Sequence, residues 1–285
     1  MRLSGVVRDP AGRFSWLKLG VLAFALSHAA VLLLRWYLHD LGPRPITEAI
    51  HVSGLWAIRF LLLSLAVTPA RAVLDWGRVV MLRRMLGVTA ACYAVLHLTL
   101  FALDQKWRLL HVASEIALRF YLTIGFIALL GLLALAVTST DGWQRRLGAR
   151  WKKLHRLAYG IAVLALFHYA VQSKADITDA VLLAGLFAWA MYWRRLRRRW
   201  QQRLWPILPL ALAAAASASV FEAAWYAVRN HVDPWLVWDA NFDLSYGPRP
   251  AVWVLILGVL LFALAGLRRW RRRRGALPRG AVRRA

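Results

Sequence analysis

The chain has a single cysteine, Cys92, and only 13 Asp and Glu among its 285 residues. One thiol excludes an internal disulfide and a Cys-x-x-Cys-His attachment site, so any haem carried here is held without covalent links. There is no glycine-rich dinucleotide fingerprint in a strand-turn-helix setting, and no gap between apolar runs is large enough for a soluble domain holding flavin and nicotinamide. The loops also lack a His/Cys cluster with metal-ligand spacing. Chemistry that needs bound flavin, nicotinamide or a loop metal therefore belongs to another molecule. Against the few acids stand 38 Lys and Arg, a formal charge of +25, while 60% of the residues are apolar or aromatic. A disordered polycation lacks that apolar content, and a soluble nucleic-acid binder cannot bury so much Leu, Ala, Val and Trp. The composition implies an all-α integral membrane protein.

A helix needs about 20 mostly apolar residues to cross the hydrocarbon. Eight runs qualify as candidates, near residues 17–38, 52–69, 86–103, 118–137, 155–172, 179–193, 205–228 and 250–267. The seventh is the weakest, because two prolines, many alanines and Glu222 suit a broken or shallow span. With a cytoplasmic N-terminus and alternating gaps, 29 of the 38 Lys and Arg fall on the inner side. That asymmetry predicts an even number of spans and both termini in the cytoplasm. The first run continues into Arg35 and Trp36 without a small-residue cleavage site, which makes it a retained span and not a signal peptide. Trp16, Trp36, Trp107, Trp193 and Trp205 fall near span ends and are expected as interfacial anchors. The basic tail beside the last span suits anionic lipid and a topology lock, not nucleic acid. Four regions follow: a cytoplasmic segment 1–14, a six-span core 15–199, an extension 200–267 with two further spans, and a basic tail 268–285.

Ionisable groups within spans are costly, so the histidines carry the chemical signal. His97 comes 13 residues after Arg84 on span three, and His168 comes 13 residues after His155 on span five. At 1.5 Å per residue both lie roughly 20 Å above the inner surface. Two neutral imidazoles at one depth on neighbouring helices form a ready axial pair for haem iron. His155, near the inner border, offers a ligand for a second iron. No histidine matches it on span three, where Arg83 and Arg84 stand; they can pair haem propionates, or the inner haem is absent. His155 and His168 also lie roughly 140° apart on an ideal helix, so sharing a cleft requires a kink or a fraying first turn. The remaining histidines read otherwise: His28 as helix packing or lipid-interface chemistry, His39, His111 and His231 as solvated loop residues, and His51 as a helix cap or a contact to a haem edge. Cys92 reads as an inert packing residue.

The stretches HVSGLWAIRFLLLSLAVTPAR, LRRMLGVTAACYAVLHLTLFALD, RFYLTIG and LAVTSTDGWQRRLGARWKKLHRLAYGIAVLALFHYAVQSKAD resemble the MsrQ family, formerly called YedZ, over residues 15–195. More distantly, the histidine layout resembles the ferric reductase and NADPH oxidase superfamily. The resemblance implies a non-catalytic electron-transfer subunit in the inner membrane. It carries one or two b haems and passes electrons from the quinone pool or a flavin reductase, with FMN or quinone as a possible additional cofactor. The acceptor is a periplasmic MsrP-like molybdopterin enzyme that reduces methionine sulfoxide in oxidised proteins. It also implies that His97, His155 and His168 are the haem ligands, with Arg83 and Arg84 at the place of a further inner histidine in the larger oxidases. Family members usually end near the position of residue 200, whereas about 85 residues follow here; they read as a packing or partner-docking addition, with Trp235, Trp238 and the outer loop between the last two spans able to form a lid near the outer surface. The competing class is a transporter or channel with His, Arg59, Arg119 or Glu115 in a proton or substrate path. A cofactor-free assembly factor is the third. The equal-depth histidines favour the haem relay.

Overall fold

The computed structural model describes residues 7–8, 12–174, 176–245 and 247–275, with the side chains of Arg273 and Gly275 left aside. The expected segment 1–14 lies largely outside the described residues, and so do residues 276–285 of the expected tail. Among the described residues the secondary structure is helical apart from one isolated bridge between Arg8 and Phe14. Among the described residues, seven helical segments are long and apolar enough to cross a membrane. Such helices are those of a multi-pass membrane protein. The expected span 179–193 is the helix Thr178–Arg195, whose 18 residues carry Asp179, Arg194 and Arg195 at their ends.

The chain divides into two compact units. The first comprises Met1–Val67 and Val80–Ala175. It holds α1 (Trp16–Tyr37), most of α2 (Pro45–Val73), α3 (Leu82–Asp104), α4 (Leu109–Leu118), α5 (Phe120–Val137), the short α6 (Asp141–Leu147) and α7 (Ala149–Leu154), and α8 (Leu157–Gln172). Helix α5 packs on α8, α3 and α4, and α1 packs on α3. Apolar side chains such as Leu33 (70% exposed) and Leu26 (59%) point outward, as a hydrocarbon solvent requires. Cys92 also faces outward and is not part of the packing the sequence suggested. Its helical position on α3 lies off the stripe of Leu86, Ala90 and Tyr93 that is buried.

The second unit comprises Thr68–Val79 and Asp176–Ala285. It contains the end of α2, α9 (Thr178–Arg195), the single turn α10 (Arg198–Gln201), α11 (Ile207–Asn230), α12 (Pro234–Asp239) and α13 (Pro250–Gly275). The boundary drawn by contacts therefore falls before α9, whereas the sequence reading grouped this helix with the first five spans. The reason is small residues at helix contacts, which let backbones approach closely. A Cβ on Gly185 of α9 would stand 2.6 Å from a methyl of Val254 and 3.1 Å from Ala218, and one on Gly258 would stand 2.2 Å from the Ala211 methyl. Those alanines also correct the expectation of a broken seventh span, since α11 is continuous over 24 residues. Pro206 and Pro209 lie at its start, where prolines cost least, and Glu222 is neutralised by Arg249 at 2.9 Å. Trp193 is a second correction: it is buried with Val73, Ile207 and Ala265, not anchored at an interface. The arginines ending α13 turn back on the same unit. Arg272 pairs with Asp75, Arg269 donates to the Val73 carbonyl at 3.3 Å, and Arg268 lies over the Trp76 ring.

Candidate functional site

Within the first unit α3 and α8 each place one histidine toward the end opposite their arginine-rich starts. The rings of His97 and His168 are brought together, with centroids 6.3 Å apart and planes crossing at 84°. Each ring is oriented by a backbone carbonyl. His97 Nδ1 donates to the Ile50 carbonyl of α2 at 2.8 Å, and His168 Nδ1 donates to the Tyr121 carbonyl of α5 at 2.7 Å. A carbonyl can only accept, so Nδ1 carries the proton and Nε2 keeps its lone pair in both rings. This carbonyl-oriented imidazole is the arrangement that fixes a metal-ligating histidine.

The separation suits one iron. An imidazole nitrogen binds a first-row metal at about 2 Å and lies about 1 Å from its ring centre, so two rings on one ion have centres about 6 Å apart. No described group of three or more His, Cys, Asp or Glu could hold a bare metal ion instead. Two neutral nitrogens with no carboxylate are the donor set of a bis-histidine haem, whose macrocycle supplies the other four bonds.

The cradle of these rings escaped the sequence reading. A Cβ on Gly54 would lie 2.9 Å from His97 Nδ1, and one on Gly125 would lie 2.7 Å from His168 Nδ1. Each glycine stands four residues after the carbonyl that accepts from the histidine. In a helix that carbonyl already receives the glycine N–H, and its second lone pair takes the imidazole, provided no side chain covers it. The device occurs a third time without histidine: Ser64 Oγ donates to the Arg83 carbonyl at 3.0 Å, and a Cβ on Gly87 would lie 3.4 Å from that hydroxyl. Glycine facing a polar residue across two spans was the available signal.

His155 is not brought to the pair. It stands at the break between α7 and α8, ahead of the first turn of α8. Its ring stacks on Trp151 at 3.9 Å, with Nδ1 3.2 Å from the Trp151 carbonyl and Nε2 3.3 Å from Ser139 Oγ. Arg83 is in electrostatic range of this ring, while Arg84 is held by Asp141 at 2.5 Å. The His28 ring packs on Trp56, with centroids 3.5 Å apart and planes tilted by 45°, and its Nδ1 donates to the Phe24 carbonyl at 2.7 Å, in keeping with a packing role. His39, His51 and His231 are exposed. His111 differs from expectation: it is half-buried on α4, an apolar helix of 10 residues where a loop was anticipated. The apolar face of LLHVASEIAL at helical spacing explains that helix.

A family model described as ferric reductase like transmembrane component matches residues 53–166. A protein-methionine-sulfoxide reductase heme-binding subunit MsrQ from Xanthomonas euvesicatoria pv. vesicatoria (strain 85-10) is 42% identical over 187 residues, covering 61% of this chain and 86% of that protein. The chain belongs to the MsrQ family. The protein of the same name from Rhodospirillum rubrum is 45% identical over 149 residues, 52% of this chain and 72% of its own length. One from Xanthomonas campestris pv. campestris (strain 8004) is 43% identical over 159 residues, 55% of this chain and 73% of its own. No solved structure matches the chain. The matched family stretch contains His97 and His155, and His168 follows it by two residues.

Proposed function

We propose that the chain is a haem-binding, electron-transferring membrane subunit of a methionine sulfoxide reductase system, with His97 and His168 as the residues that would hold the iron of one b-type haem. The observation that carries this reading is the pair of imidazoles with free Nε2 lone pairs and centres 6.3 Å apart. Haem, when bound, supplies a one-electron iron couple. The chain's own residues do the rest. Ile50 and Tyr121 hold each Nδ1 proton and so present Nε2 as a ligand. An iron held by both histidines would have no open position, which would favour outer-sphere electron transfer and oppose oxygen binding. The apolar outward faces of α3, α5 and α8 exclude water from the site.

His155 is the candidate ligand for a second haem nearer the arginine-rich end, exchanging its hydrogen bond to Ser139. Arg83 and Arg84 are the groups there with charge for propionates or for an anionic cofactor such as FMN. The proposed electron path runs from a quinol or reduced flavin at the cytoplasmic face to a periplasmic MsrP-like molybdopterin reductase, across the inner membrane. Arginine clustering supports that orientation, with both termini cytoplasmic. Residues 15–199 are the proposed relay core and 200–267 an addition to it.

The test is the absorption spectrum of the purified full chain from haem-replete cells. A Soret band that sharpens and shifts on dithionite reduction is expected. His97→Ala and His168→Ala each remove it in proportion to the pair's share of total haem, and His111→Ala leaves it unchanged. Full haem content in both ligand variants refutes the pairing.

A further inference from the structure

Each imidazole of the pair is fixed at two points, and those points set its plane. The Cβ of His97 belongs to α3 while its Nδ1–H is bound to α2; the Cβ of His168 belongs to α8 while its Nδ1–H is bound to α5. Rotation about the ring torsion would break the hydrogen bond. The resulting planes cross at 84°. The glycines make this possible, because a methyl at 54 or 125 would press on Nδ1 itself at 2.9 and 2.7 Å, closer than ordinary Cβ contacts allow. Glycine within a helix costs about 1 kcal/mol relative to alanine. Two helices accept that cost at the two places where a ligand ring lies against the backbone.

Resting on the axial-pair reading above, we propose that Gly54 and Gly125 are positioning residues that keep the two ligand planes crossed and thereby set the electronic state and potential of the bound iron. An imidazole donates π density to the iron d orbital perpendicular to its plane. Parallel rings raise a single orbital, and the hole of the ferric ion settles there, which stabilises the oxidised form. Crossed rings raise two orbitals alike. The hole is then shared between them, its orbital moment stays unquenched, and the oxidised form is less stabilised. An iron held this way accepts an electron more readily than the same pair with parallel planes.

Electron paramagnetic resonance of the oxidised full chain, in detergent with its haem, tests this. The expected ferric spectrum is dominated by one ramp-shaped feature at high g. Three well-separated rhombic lines from a protein that has haem and loses it in His97→Ala would overturn the crossed-plane proposal and leave the axial pair standing. A colourless chain removes both. The second arm compares Gly54→Ala and Gly125→Ala with Gly87→Ala, which places the same methyl in the cradle that serves Ser64. The first two are expected to move the spectrum toward rhombic and the midpoint potential downward while the visible bands remain those of a two-histidine haem; Gly87→Ala moves neither. Selective loss of haem from the first two also supports the cradle, because alanine by itself favours the helix. Unchanged spectrum and potential in both overturn the role of the glycines.

Discussion

Glu222 on α11 is 1% exposed, and it pairs with Arg249, at 2.9 Å, just before α13. Removing either partner strands the other, but not equally. The Glu222 side chain is 2% exposed and that of Arg249 is 33% exposed. Arg249→Ala therefore leaves a carboxylate with no route to water, and the upper part of the range for breaking a buried pair applies, about 4–5 kcal/mol. Glu222→Ala leaves a guanidinium that can turn its head toward the polar surface, so the loss is about 2–3 kcal/mol. The pair is also incompletely satisfied, since Glu222 Oε2 and Arg249 Nε have no hydrogen-bond partner among the described residues. A double Met replacement, which removes both charges and fills the space, is thus expected within about 1 kcal/mol of the original. The assay is SDS-induced or thermal unfolding in detergent, followed by tryptophan fluorescence. At a few degrees per kcal/mol, Arg249→Ala lowers the midpoint by roughly 10 °C, Glu222→Ala by about half that, and the double variant hardly at all. A double variant as unstable as either single one would show that the charges are not what limits α11, and equal losses in the two alanine variants would refute the argument from exposure.

Gly258 tolerates no side chain, because its Cβ would meet the Ala211 methyl at 2.2 Å. Gly258→Val is expected to separate α11 from α13 and cost about 2–3 kcal/mol, whereas Gly266→Val, at a position where an added Cβ meets no neighbouring atom within 4 Å, costs under about 1 kcal/mol; the same unfolding assay ranks them. Asp176 precedes α9, and hydrogen bonds from the Thr178 side chain and backbone hold its carboxyl below the usual range. A depressed folded value means stability present above the ordinary carboxylate pKa and lost as pH falls through the folded one. Asp176→Asn should therefore unfold more easily than the original at pH 7 and match it in strong acid; a gap that persists in acid would refute the charged cap.

The membrane class, seven of the spans and the pair His97 and His168 were legible because each rests on one-dimensional information. Runs of apolar residues mark a solvent without water, and an equal count of residues from Arg84 and from His155 becomes an equal height at a fixed rise per residue. The membership of α9, the continuity of α11 and the burial of Trp193 were not legible, since each depends on which small residue meets which across a helix contact. Gly185 opposite Val254 and Gly258 opposite Ala211 pair positions dozens of residues apart. The site divides in the same way. Sequence placed two imidazoles at one depth, and it left their direction open, because a helical wheel gives an azimuth only when the neighbours are known.

What the sequence by itself determined is that this chain lives in lipid and spends histidine where histidine is expensive. The tertiary structure alone decided which nitrogen of each ring is free and at what angle the rings cross. Those follow from two carbonyls and two glycines on other helices, and contacts of that kind exist only after the helices have packed.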